Sequence, residues 1–189
     1  MERPASPLLT AKVVGGASEL NDAVCRALVA DGVQVVDGAP QHDADGLNAL
    51  IFIATDLAIG SIATTSAADF SVHVGGALGD AFRALQHGVA SIRAGDRGGS
   101  VVFVAPSAGS HRAFDALRQG LRLMTKSAAL ELGPEHIRVN VVLPGGKDTP
   151  LGRPCSSADI ADAVVFAASP RSKFMTGADL VVDGGALAL

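Results

Sequence analysis

Tyrosine and tryptophan are absent from this chain, and cysteine occurs only twice, at Cys25 and Cys155. Without tyrosine there is no phenolic hydroxyl for proton transfer. Two cysteines outside any CxxC pair suggest neither a disulfide framework nor a zinc ribbon, and each reads as a buried or idle thiol. His42, His87, His111 and His136 have no metal-ligand spacing with one another or with the cysteines, so no metal is expected. No run reaches the roughly 18 apolar residues of a membrane span, and "MERPASPLLTAKVVGG" lacks the apolar core of a signal peptide. A cytoplasmic, reduced protein without a membrane partner is the resulting expectation. Dense basic tracts are missing too, and the net formal charge is −4, so nucleic acid is not an expected partner. "GDRGG" and "PGGK" are glycine turns without the spacing or the Lys-Ser/Thr pair of a Walker loop.

What is present is a core-forming composition. Apolar residues make up 48% of the chain and the mean hydropathy is +0.35, which excludes a disordered polypeptide. The 189 residues fit one domain, 1–189, with neither internal repeats nor a linker. Short apolar runs at 8–14, 33–37, 50–54, 100–104, 138–143 and 179–182 read as buried strands. Between them lie helical patterns. Ser18 is positioned to cap a helix running to about Asp31, and a glycine-interrupted helix is expected around 70–92. The stretch "AFDALRQGLRLMTKSAALEL" forms a third helix, and a last one falls near 157–169. Alternating strands and helices predict a doubly wound parallel α/β sheet of about six strands.

The helix at 113–132 carries two apolar stripes. Phe114, Leu117, Leu121, Met124 and Ala128 make one; Ala116, Leu123 and Leu130 make the other. Such a helix is expected to face the sheet on one side and another helix, of this chain or of a second subunit, on the other.

"KVVGGASELNDAVCRALVADGVQVV", "FVAPSAG", the 113–132 helix, "IRVNVVLPGGKDT" and "MTGADLVVDGG" follow one another in an order and spacing that resemble the short-chain dehydrogenase/reductase family. The resemblance covers nearly the whole chain. It implies a Rossmann-like fold, NAD(P) and hydride transfer to or from a carbonyl or alcohol. Against the family's pattern this chain is shortened: only the loop from Gly38 to Ala49 replaces a helix, a third strand and a further helix. Twelve residues span at most about 40 Å when extended, enough to cross one intervening strand.

The family's proton-transferring tyrosine falls on Phe114 and its lysine on Arg118. Its serine falls on Pro106, beside Ser107, and its asparagine on His73. In the first turn Gly16 fits the first glycine, whereas Leu20 and Asp22 stand at the other two. Leu20 is expected to place a bulky side chain in the phosphate's path, and Glu19 and Asp22 to repel an anion. Asp37 stands where a ribose-binding acid would sit, and Pro144, Gly145 and Thr149 match the nicotinamide-side motif. These departures lead to the expectation of a non-catalytic homologue without cofactor, acting as a partner subunit. It would form a homo-oligomer, or a hetero-oligomer with an active relative, through the long helices. Two alternatives remain open: an NAD(P)-dependent oxidoreductase with altered active-site residues, and a dinucleotide or small-molecule sensor.

Overall fold

A computed structural model describes residues 9–15, 19–36, 47–54, 60–61, 63–107, 112–146 and 149–188, with the side chains of 112–114 excepted. All six strands are found: β1 (Thr10–Gly15), β2 (Gln34–Val36), β3 (Ala49–Ile53), β4 (Gly99–Val104), β5 (Ile137–Pro144) and β6 (Asp179–Val182). They form one parallel sheet in the order β2-β1-β3-β4-β5-β6. Every residue of β3 is buried, as a strand covered on both faces requires. The connection from β2 to β3 passes across β1, and its residues 37–46 lie outside the described part.

Helices cover both faces. Helices α1 (Glu19–Ala30) and α5 (Ser157–Ala168) lie on one face with Ile51, Val102 and Val104. On the other, α3 (Gly76–Ala94) and α4 (Arg112–Leu132) enclose Leu50, Val101 and Phe103. A short α2 (Ala67–Phe70) leads into α3 through one π turn at Ser71–Gly75, so the helix expected around 70–92 begins earlier and carries a bulge. Local chemistry sets the ends of these helices. The Ser66 hydroxyl accepts from the Asp69 N–H at the start of α2, and Ser156 with Asp159 forms a capping box on α5.

Close packing accounts for one of the helical glycines. A Cβ on Gly88 would fall on the Leu50 side chain, so α3 approaches β3 at a distance that only glycine allows. At Gly75 and Gly76 the same atom would meet open space, so packing within the chain does not explain them. The two stripes of α4 also part company. Leu117 and Leu121 are fully buried against the sheet, whereas Leu123 and Leu130 are 66% and 83% exposed. The second stripe therefore has no cover among the described residues. No helix among the described residues is long and apolar enough to cross a membrane.

Gly88→Val puts two methyl groups and a Cβ into the contact with Leu50. Overpacking of this kind costs about 1–3 kcal/mol, so urea unfolding is expected to show a lowered midpoint at unchanged slope. An unchanged midpoint would mean that α3 can lift from the sheet without cost.

Candidate active site

In an open parallel sheet the binding crevice lies at the carboxyl ends of the strands, where the direction of winding reverses. Here that point falls between β1 and β3. Gly15, the last residue of β1, has φ +145°, and a Cβ there would press on the Ile53 carbonyl at the end of β3. The two strand ends thus converge at the floor of the crevice. Gly16 and Asp37, the candidates for pyrophosphate and ribose contacts, lie outside the described residues. Leu20 packs against the core between α1 and α5, so the expectation that it blocks a phosphate is corrected: its apolar side chain is drawn inward. Glu19 and Asp22 are exposed in the first turn of α1, where acidic side chains favour the helix dipole.

Arg118 is the centre of the next stretch of floor. It is only 7% exposed. Its Nη1 donates to the Pro106 carbonyl, just beyond β4, and to the Pro144 carbonyl at the end of β5, the latter at 3.0 Å. One guanidinium therefore ties α4 to the ends of two strands. Burial pulls its pKa below the usual arginine value; the field of Asp115, one turn earlier, opposes this, and that of Arg122 adds to it. Such a group stays charged at any physiological pH.

The other sequence candidates take distinct positions. Pro106 is buried and contributes its carbonyl. Ser107 is exposed, and its hydroxyl makes no hydrogen bond among the described residues. Phe114 lies in the first turn of α4, its side chain outside the described part. His73 is half-buried in the π turn, which packs against α4. A π turn inside an α-helix frequently accompanies a functional site. Gly145 is buried, donates its N–H to the Val182 carbonyl at 2.7 Å, and would collide with Asp183 if it carried a Cβ. The crossing of β5 and β6 therefore suffices to explain this glycine. The Thr149 hydroxyl donates to the Arg153 carbonyl at 2.6 Å, which engages it in its own turn. Cys155 stands nearby, its thiol pushed up chiefly by burial, which lowers its thiolate fraction.

Two supporting features escape a reading of the sequence. Asp179, at the start of β6, accepts from Arg122 Nη2 at 2.6 Å and Nε at 3.1 Å, and lies 3.3 Å from Lys126. This anchors α4 one turn beyond Arg118. Asn140 is fully buried, donating to the Met175 carbonyl and accepting from the Ala178 N–H. Both pairings join segments more than thirty residues apart, and no local pattern announces them.

Sheet order and helices on both faces define a doubly wound, Rossmann-like α/β protein. The model of the family described as enoyl-(acyl carrier protein) reductase matches residues 22–155 and 146–186. The chain belongs to the short-chain dehydrogenase/reductase family. It is similar to a trans-4-hydroxycyclohexanecarboxylate dehydrogenase of Sinomonas cyclohexanicum, with 39% identity over 106 residues, 47% of this chain and 41% of that protein. A 3-alpha-(or 20-beta)-hydroxysteroid dehydrogenase of Mycobacterium bovis is 41% identical over 88 residues, 40% of this chain and 34% of the relative. The chain thus spans less than half the length of these relatives. Among solved structures, a short-chain dehydrogenase/reductase family oxidoreductase from Burkholderia thailandensis superposes with a TM-score of 0.84 at 23% identity, covering 97% of this chain and 94% of the other. A short-chain dehydrogenase from Leptospira borgpetersenii with bound NAD+ gives 0.78 at 17%, covering 94% and 92%. The expectation of a non-catalytic partner subunit is corrected by these relatives, which are named as dehydrogenases and point to an oxidoreductase.

Arg122 and Lys126 hold the Asp179 carboxyl below the usual carboxylate range, the Arg122 hydrogen bond being the larger cause. A carboxylate with a depressed folded pKa stabilises fully above its unfolded value, about 3.9, and loses that contribution as pH falls through the folded value. Asp179→Asn is therefore expected to cost about 1–2 kcal/mol at neutral pH. It should also flatten the loss of stability below the ordinary carboxylate range. Urea titrations from pH 7 downward test this; an unaltered acid limb would mean that the pair is not coupled to folding.

Proposed function

We propose that the chain is an NAD(P)-dependent oxidoreductase that interconverts an alcohol and a carbonyl compound with an altered proton-transfer set. The observation that carries this reading is Arg118, a buried permanent cation joined to the ends of β4 and β5 at the crevice floor. Family membership and relatives named as dehydrogenases support it. The described residues fit a nicotinamide dinucleotide. Gly15 lets the strand ends converge, Leu20 is withdrawn into the core, and Arg118 keeps unengaged N–H donors beside Pro144 and Gly145. When bound, that group supplies the hydride donor or acceptor.

With no tyrosine in the chain, the proton must pass through another group. His73, half-buried in the π turn that packs on α4, is the group assigned this role, because a ring nitrogen can accept a proton. In the oxidative direction a bound nicotinamide would accept the carbinol hydrogen as hydride, and the chain's own part is to take the hydroxyl proton. The hydroxyl proton goes to His73 and from there to water. Ser107 orients the substrate hydroxyl at the mouth of the crevice. The name of the Sinomonas relative makes trans-4-hydroxycyclohexanecarboxylate the first substrate to try.

A homo-oligomer belongs to the same proposal. Phe82 on α3 is 50% exposed, and with Leu123 and Leu130 on α4 it leaves both long helices with uncovered apolar side chains. A second copy of the same pair would bury them in an isologous interface. Leu130→Asp is expected to shift the chain to monomer in light scattering; an unchanged oligomer would place the interface elsewhere.

Turnover is measured as reduction of NAD+ or NADP+ by that hydroxy acid. His73→Gln is expected to lower kcat by about 10²–10⁴-fold, as loss of a general base does. Ser107→Ala is expected to act mainly on KM. Absence of reduction by wild-type protein with either nucleotide would overturn the assignment for this substrate, and an unchanged kcat in His73→Gln would overturn the role of His73.

A further inference from the structure

A cavity of about 620 Å³, within the usual range for small-molecule sites, lies at the end of the sheet opposite the crevice. Thr10, Ala49, Gly99 and Ile137, the first residues of β1, β3, β4 and β5, line it. The crevice lies at the last residues of the same strands. Along the six residues of β4 the two are about 17 Å apart, so the reaction proposed above makes no use of this space. Part of its wall is fixed in advance. Gly98, with φ +66°, crosses His136 so closely that a Cβ would press on the His136 carbonyl, and the Gly99 N–H donates to that carbonyl.

The floor is apolar: Leu28 of α1, Ile137 of β5 and Val165 of α5 line it, each buried. The charges around it are mostly positive. Arg97, Arg138 and Lys173 border the cavity against one carboxylate, Asp31, which Arg171 already faces at 3.5 Å. Arg138 is half-buried, and its Nη1 and Nη2 donate to four backbone carbonyls and the Ser172 hydroxyl, all neutral acceptors. The Lys173 ammonium is exposed and makes no ion pair or hydrogen bond among the described residues. Next to it Phe174 is 101% exposed, so a whole aromatic ring is left in water at the cavity mouth. Water in this space keeps floor and ring hydrated, whereas an apolar body would displace it favourably. The positive excess favours an anion. A phosphate-rich ligand would answer the charge and leave the floor wet, and a neutral hydrocarbon would do the reverse. One carboxylate on an apolar body satisfies both.

We infer that this cavity is a second binding site, for an amphipathic monocarboxylate. Its aliphatic body lies on Leu28, Ile137 and Val165 with Phe174 over it, and its carboxylate meets Lys173 in the field of Arg138. The site is read from the amino ends of the strands alone and does not rest on the oxidoreductase reading.

Calorimetric titration of the full chain with octanoate and with octan-1-ol, each with and without NAD+, tests the assignment. Wild-type protein is expected to bind octanoate saturably and about tenfold more tightly than the alcohol, the range of a charge-assisted hydrogen bond. Two exposed positions separate the parts of the site without touching the core. Lys173→Glu is expected to weaken octanoate by about tenfold and the alcohol by less than about threefold. Phe174→Ala is expected to weaken both ligands by a similar factor, about 3- to 10-fold, because it removes cover from the shared apolar body. NAD+ is expected to leave octanoate binding unchanged. Lack of saturable octanoate binding up to about 10 mM overturns the inference. Equal affinity of wild-type protein for acid and alcohol overturns it too, since the cavity then selects no anion. Unchanged octanoate affinity in both variants would place the ligand elsewhere. Displacement of octanoate by NAD+ would place it in the crevice, and either result contradicts the site.

Discussion

The tie between Arg118 and the carbonyls at the ends of β4 and β5 is the contact on which the crevice depends. Parallel strands end in carbonyls that the next residue cannot satisfy, and a buried carbonyl without a donor is costly. Here one guanidinium satisfies two of them and fixes α4 above the strand ends in the same step. The Asp179 cluster braces α4 one turn further on, and Leu117 and Leu121 hold the same helix against the sheet. The helix that carries the site is thus positioned by apolar burial along its length and by charge where it crosses the strand ends.

The same arrangement explains how α4 keeps its place over the strand ends: position 118 is part of the architecture. A lysine there could reach one or two carbonyls with a compact ammonium. The guanidinium of arginine bridges two carbonyls with one nitrogen. The fold is that of solved short-chain dehydrogenases.

Much of this fold is legible in the sequence, because parallel strands buried on both faces appear as unbroken apolar runs and the four long helices as periodic ones. The limits of β6 agree residue for residue, and the other strands differ only at their ends. The site is less legible, for a physical reason. Pro106, Arg118 and Pro144 are brought together by the sheet, and nothing in their spacing marks a hydrogen bond between a side chain on α4 and two distant carbonyls. Leu20 misled for a related reason: in the sequence it occupies a glycine position, whereas in three dimensions its direction is set by the core it packs on. A π turn at His73 has no simple composition signal, since its residues also suit an ordinary helix. The glycines at 75 and 76 suggest close packing, but a Cβ there would meet open space, whereas on Gly88 it would fall on Leu50.

The most direct test of the central claim, that the crevice around Arg118 holds a nicotinamide dinucleotide, is titration of the chain with NADH and NADPH by cofactor fluorescence. Because the protein contains neither tryptophan nor tyrosine, it contributes almost no emission of its own. Saturable enhancement with a dissociation constant in the micromolar range, about −8 kcal/mol at 1 μM, is the result the account predicts. Absence of binding by either nucleotide at about millimolar concentration would contradict it.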